Sequence, residues 1–430
     1  MLIKKIIEPK KQVLKEQQIF SNKRLWELIY PILVEQALML LVGIADTLII
    51  SYAGESAVSG VSLVNQINSV FIIIFTALAS GGAVIISQYI GRDDLDKGRL
   101  ASGQLITISS IFSLMIVAIV LFLKKFYFAV YQACSSIFRS MAKTKITMYV
   151  SLLMNVINLT GNIIGVFFLK AGVAGVAIPS LISRSVAAFI MFIACFNRRN
   201  IIYIKLRHIF RYNKDIIRRI LHIAIPNAIE GGMLDAAKVA LSSIVALFGT
   251  SQIAANGVAQ SFWSVAAIFI NVMGPVFITV IGQCVGAKDY DAADYYFRKL
   301  LRVTYFGATL WNIVFYLSSL LLLKLYDLSE ETIHLVIIVC SLHNFFNIFL
   351  SPIGFTLASG LRAAGDVNFT MYTGVFATVV VRIFFSYILG VLFKMGFIGV
   401  TISMIIDWVV RFVLILGRYK SGKWKSFQVI

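Results

Sequence analysis

A chain of 430 residues that is 59% hydrophobic and only 14% charged carries far more apolar surface than a soluble core could bury. With a mean hydropathy of +0.87 it is expected to be an all-α polytopic membrane protein. The net charge of +19 would suit nucleic acid, but the basic residues stand in short segments between apolar spans and not on one face, which excludes that partner. Four cysteines, Cys134, Cys195, Cys284 and Cys340, lie singly in apolar stretches, and four histidines, His208, His222, His334 and His343, have no ligand spacing. Neither a disulfide framework nor a metal site is expected.

In chain order, a basic segment over 1–24 holds seven Lys or Arg and no small-residue cleavage site, and so is expected to stay in the cytoplasm. Apolar spans follow near 25–52, 57–90, 99–123, a short one at 126–140, then 146–169 and 173–196. A basic linker, 197–217, separates this first lobe (25–196) from a second (218–417). The second has spans near 218–248, 252–285, 299–323, 332–358, 368–393 and 397–417, before a basic tail, 418–430. Most exceed the roughly 20 residues that a helix needs to cross the hydrocarbon. Placing both termini in the cytoplasm puts 30 of the 39 basic residues inside and only Lys124, Lys125, Lys170, Lys324 and Lys394 in outer turns. That asymmetry obeys the positive-inside rule.

The first span, PILVEQALMLLVGIAD from Pro31 to Asp46, carries two carboxylates, Glu35 and Asp46. Eleven residues make roughly three turns, so both project from one helix face, roughly 16 Å apart along the axis. Charges inside a membrane are costly and usually face a cavity or a partner, which makes these acids ion-coupling candidates; a structural hydrogen bond is the plainer reading of Asp46. Glu230 repeats Glu35 at the same spacing from Pro226, and Asp235 completes the candidate acids, although Lys238 three residues on could neutralise it. Asp407 and Arg411 stand at i,i+4 as a structural pair. Asn155, Asn158 and Asn162 share one edge of the fifth span, and with His343 are candidate substrate-cavity residues. The Asp94-Leu95-Asp96 triplet looks like a metal-binding DxD, but it sits in a short turn whose copy recurs later as KDYDAAD. A turn and cap role is expected there.

The two halves are copies. At a constant offset of 195, Pro31 matches Pro226, Glu35 matches Glu230, Gly54 matches Gly249, Gln88 matches Gln283, Gly91 matches Gly286 and Asp94 matches Asp289. Further on, FRSMAKTKITMY (138–149) matches LRAAGDVNFTMY (361–372) at 223, and KAGVAGVAI matches KMGFIGVTI at 224. Even-numbered repeats in one orientation are parallel halves related by an axis along the membrane normal. The change from 195 to 223 means that the first half lacks 28 residues between Gln104 and Phe128. The fourth helix is therefore truncated, to about 13 uncharged residues (Phe126 to Phe138), and is expected to be short, strained or partly re-entrant, borrowing length from the third.

The P-x3-E-x10-D opening, GESAVSGVSLVNQI, SQYIGRDDLDKGR with its copy GQCVGAKDYDAADYYFRK, LRAAGDVNFTM, and IDWVVRF with RYKSGKW together resemble a bacterial member of the multidrug and toxic compound extrusion family. The resemblance covers nearly the whole chain outside 105–127. It implies twelve helices in two six-helix lobes around a central cavity and export of bulky, often cationic or amphiphilic drugs and metabolites across the cell membrane. Proton or sodium influx would drive it, with no cofactor, by a monomer in contact with lipid. It also implies cation coupling at an acid on the first helix, the position of Asp46. Where some members carry an acid on the fifth helix this chain has Asn162, and an acid common on the seventh falls near Asp235. A flippase for lipid-linked precursors is the alternative, favoured by an Arg-rich cavity, whereas only Arg184 and Arg382 lie deep in spans. A membrane enzyme would show a longer loop with clustered acids, and no G-x4-GK[ST] loop is present.

Overall fold

A computed structural model describes residues 8, 19–52, 55–120, 124–323, 328–427 and 429–430. Among these the chain is helical with no strand, as a chain in hydrocarbon must be if its backbone groups are to bond within their own segment. The first half holds α1 (Asn22–Ser51), α2 (Glu55–Gly91), α3 (Leu95–Val120), α4 (Lys124–Ser140), α5 (Thr144–Phe168) and α6 (Ala174–Cys195). The second holds α7 (Lys214–Ala246), α8 (Thr250–Ala266 and, after a break at Ala267, Ile268–Gly286), α9 (Tyr290–Leu322), α10 (Glu330–Ala363), α11 (Val367–Leu392) and α12 (Gly396–Lys420). Side-chain caps set two of the starts. Ser21 Oγ accepts from the Arg24 N–H at α1, and Ser329 Oγ from the Thr332 N–H at α10, where Glu330 and Glu331 also favour the positive end of the helix dipole.

Helix boundaries repeat with the offsets of the sequence. The starts of α2 and α3 recur 195 residues on in α8 and α9, and the end of α4 recurs 223 residues on in α10. Backbone conformation repeats as well. Left-handed residues occur at Asp93 and Lys288, at Ala142 and Gly365, at Lys170 and Lys394, and at Gly172 and Gly396, each pair at the local offset. The step from 223 to 224 has a structural cause within the fifth helix and its copy. Both end in a π segment, Ile164–Phe168 and Ser386–Leu392, but α11 has another at Phe376–Arg382 where α5 is regular α-helix. A π segment accommodates an inserted residue.

The 28-residue deficit falls where α3 gives way to α4: α3 is described to Val120, and α4 from Lys124, seventeen residues later than α10 starts by the repeat offset. The expectation that α4 borrows length from α3 turns on residues 121–123, which lie outside the described residues. α4 itself has 17 residues, longer than the 13 expected because Lys124, Lys125, Arg139 and Ser140 are helical, and spans about 26 Å. Among the described residues ten helices are long and apolar enough to cross a membrane, and α4 and α7 fall outside that set, the first by length and the second by polarity.

The chain divides into two compact units, whose described residues fall within 15–228, 278–289 and 429–430 for one, and within 229–277 and 290–427, with residue 8, for the other. In the first unit α4 is held at its Arg139 end. Ser140 Oγ donates to the Ala83 carbonyl, Thr279 Oγ1 to that of Arg139, and Gln283 Nε2 to that of Ser140, so carbonyls that the helix end leaves open find partners. α2 and the end of α8 approach reciprocally. A Cβ on Gly91 would lie 1.9 Å from the Gln283 oxygen, and one on Gly286 would lie 2.0 Å from that of Gln88. Each pair is the repeat of the other, and only glycine fits.

The linker is docked on α3. Gln104, fully buried, donates to the carbonyls of His208 and Arg211 at 2.8 and 2.7 Å and accepts from the Asn213 N–H, while Thr107 donates to Ile209. Burial, with Arg207, Lys205 and Arg99 nearby, lowers the pKa of His208, whose Nδ1 accepts from the Lys205 N–H. A lowered folded pKa means that the neutral form is favoured by folding. Stability from this group is present above about pH 6.5 and lost as pH falls below it. Linker docking should therefore loosen as pH falls below about 6.5, seen as faster cleavage at Arg207 or Arg211 by an acid-tolerant protease, and His208→Gln should flatten the dependence.

Ala142 holds a left-handed backbone where its copy is Gly365. Replacing it by glycine should raise unfolding free energy by about 1 kcal/mol, the steric relief exceeding the added chain entropy. Thermal unfolding in detergent measures the difference, and an unchanged or lower midpoint would count against it.

Candidate functional site

α1 carries both first-half acids inward. Glu35 is fully buried, and Oε1 meets Arg139 Nη2 of α4 at 2.6 Å and the Tyr131 hydroxyl at 3.4 Å; Thr147 of α5 donates to Oε2 at 3.2 Å. The acid is neutralised and saturated. Asp46, three turns on, has a different setting. Its Oδ1 accepts from Asn158 Nδ2 at 2.9 Å and from Asn162 Nδ2 at 2.6 Å, and Ser180 of α6 donates to Asn158 Oδ1 at 3.1 Å. Asn158 and Asn162 are neutral amides, and Ser180 reaches Asp46 through one of them. The Arg184 guanidinium lies over the Phe128 ring at 5.5 Å and within electrostatic reach of Asp46. Asn162 Oδ1 and Asn155 Nδ2 are buried without hydrogen-bond partners, which leaves this corner one acceptor and one donor to offer.

The other unit repeats the first pair and enlarges it. Glu230 of α7 meets Arg362 of α10 at 2.9 Å and Arg411 of α12 at 3.4 Å. Arg411 also holds Asp407 at 2.9 Å, donates to the Gly374 carbonyl at 2.8 Å, and bonds Thr378. Asp407 and Arg411 thus form the pair expected from their spacing, within a larger network. Asp235 pairs with Lys238 at 2.8 Å, with both side chains partly exposed, and shares no partner with Glu230.

Asn158 and Asn162 are brought to Asp46, whereas His343 is elsewhere. It stacks on Trp263 with ring centroids 5.0 Å apart and meets Trp408 edge-on, in the core of the other unit. Grouping it with the asparagines is therefore corrected: the histidine belongs to an aromatic cluster in a different unit. The partners that the sequence analysis passed over are Arg139 and Arg362. The signal was present, because the alignment of FRSMAKTKITMY with LRAAGDVNFTMY sets Arg139 on Arg362 just as Glu35 sets on Glu230. An acid and a base that recur together mark a pair. Among the described residues no group of His, Cys, Asp or Glu could hold a metal ion.

The family model described as MatE matches residues 31–132 and 226–388, one block in each half, starting at Pro31 and at its copy Pro226. The chain belongs to the MatE family. It is 27% identical to an uncharacterized transporter, YisQ, of Bacillus subtilis, with 93% of this chain and 94% of that protein covered. It is 22% identical to a probable multidrug resistance protein, NorM, of Thermotoga maritima, over 97% and 96%. The fold matches a multidrug resistance MATE family transporter of the MOP superfamily, solved in an outward-facing conformation, with a TM-score of 0.86 at 20% identity over 94% of this chain and 97% of that one. This MatE protein is a membrane-spanning efflux transporter of two six-helix lobes, and it is not an enzyme.

Removing one partner of a buried ion pair leaves an uncompensated charge, at a cost of about 3–5 kcal/mol, whereas removing both is far milder. Arg139→Leu should therefore destabilise the MatE protein more than Arg139→Leu combined with Glu35→Leu. Unfolding midpoints of the two variants in detergent compare them, and equal losses would mean that the residues do not act as a pair.

Proposed function

We propose that this chain is an ion-coupled antiporter of the cytoplasmic membrane, exporting bulky cationic or amphiphilic drugs and metabolites by alternating access, with proton or sodium influx as the driving force. Both termini and the linker lie in the cytoplasm, in accord with the 30 basic residues of the inside segments, and the chain works as a monomer among lipids. The observation that carries the proposal is the setting of Asp46. It is a carboxylate on an apolar helix that accepts hydrogen bonds from Asn158 and Asn162, neutral amides that orient it without discharging it. Such a group can gain and lose a cation. Glu35 and Glu230, each held by an arginine, serve in this reading as helix clamps, and Asp235 as half of a surface pair with Lys238.

The oxygen donors around Asp46 suit either cation. A proton would reside on the carboxylate; a sodium ion would take Asp46 with the free Oδ1 of Asn162. Asp46→Asn removes the charge and keeps the shape. Efflux of a fluorescent cationic dye from a drug-sensitive bacterium should fall to the vector level, with protein amount and unfolding midpoint unchanged. Efflux at the wild-type rate would overturn the assignment of Asp46.

A further inference from the structure

We propose that the outer part of α9 and α10 forms a second binding site, for a membrane-dissolved amphiphile with an apolar or aromatic body and one O–H or N–H donor. Between these helices lies a cavity of about 360 Å³, within the range of small-molecule sites, with walls of Ile313, Tyr316, Leu317, Phe345 and Ile348. Ile313, Leu317 and Phe345 are 50–60% exposed. In a membrane-spanning pair of helices that open side faces hydrocarbon.

Its floor is polar. Tyr316 and Ser341 share a hydrogen bond of 2.7 Å, and below them Asn347 Nδ2 donates to Asn312 Oδ1 at 3.0 Å. Asn344, only 6% exposed, lines the cavity; its Nδ2 is spent on the Cys340 carbonyl, and its Oδ1 has no hydrogen-bond partner. A buried amide oxygen left empty in a low-dielectric setting is costly, so an occupant that supplies a donor is favoured over one that does not. Asn344 stands fourteen residues, about 21 Å, into α10 from Glu330, well inside the roughly 30 Å of hydrocarbon. Phospholipid chains carry no donor at that depth. The occupant that fits is a smaller amphiphile dissolved in the bilayer, the class of compound an efflux transporter meets there.

The site belongs to the second half alone. By the two repeat offsets, residues 316–346 have no counterpart in α3 or α4, and Tyr316, Leu317, Ser341, Asn344 and Phe345 all fall in that interval. Five of the eight lining residues thus fall in the stretch that holds the 28-residue deficit. The inference needs α9 and α10 to span the membrane and does not need ion coupling, so the two proposals fail separately.

The probe is 1-aminoanthracene, an aromatic amphiphile with one amine that crosslinks on illumination, added to protein in lipid nanodiscs. We expect crosslinks within 312–348, about fivefold weaker binding in Asn344→Leu, and loss of labelling in Ile313→Trp, which fills the groove from a half-exposed wall position and leaves the interior intact. The Asp46→Asn protein should label as the wild type does. Crosslinks elsewhere, labelling that survives Ile313→Trp, binding of anthracene as strong as that of its amine, or occlusion of the groove by a second copy of the chain would each overturn the proposal.

Discussion

A carboxylate that enters the membrane on the first helix of each half must be neutralised, and the arginine at the C-terminal end of the fourth helix is what neutralises it. Glu35 with Arg139 and Glu230 with Arg362 are the same bond made twice. The arginine sits in the last turn of α4 and in the last turn of the copied segment of α10, where a cation also favours the negative end of the helix dipole. Each bond ties two helices more than 100 residues apart in sequence. Because the tie lies at the C-terminal end of α4, along with Ser140, Thr279 and Gln283, the shortening of that helix falls at the end that the tie does not use. The truncated helix keeps its anchor.

Around this shared bond the halves have diverged in where they keep other polar groups. Asp46 has Leu241 as its copy, so the amide-lined carboxylate exists only in the first half. Arg411 aligns with Ala187 or Ala188, so the larger charge network exists only in the second. Duplication gave each half a scaffold, and the chemistry was then placed on one copy at a time. The groove between α9 and α10 follows the same pattern, since it needs helix lengths that only the second half retains.

Much of this is legible in the sequence. The offsets of 195, 223 and 224 are fixed by side chains such as Pro31 and Pro226, and helix boundaries, left-handed turns and the π insertion all obey them. The contacts were less legible for a physical reason. Arg139 ends the fourth span as a charge, and a hydropathy reading treats a charge as a boundary and not as a partner 104 residues away. Asn158 and Asn162 share a helix edge, which predicts that they act together but not on what. For His343, a polar residue in a span suits either a core or a cavity wall, and Trp263 stacked on it with Trp408 edge-on sets it in an aromatic core.

The one-residue difference between α5 and α11 shows how such divergence is accommodated. The π segment at Phe376–Arg382 begins just after Gly374, whose carbonyl accepts from Arg411, and contains Thr378, which bonds Arg411 as well. A widened turn disturbs the regular ladder of backbone bonds, and a side chain from a neighbouring helix can take an acceptor so released. Gly374 also has to be glycine, because a Cβ there would lie 2.5 Å from Glu230 Oε1. The inserted residue, the missing side chain at 374 and the second arginine on Glu230 are therefore one adaptation: a backbone irregularity that lets a buried network hold two acids where the first half holds one.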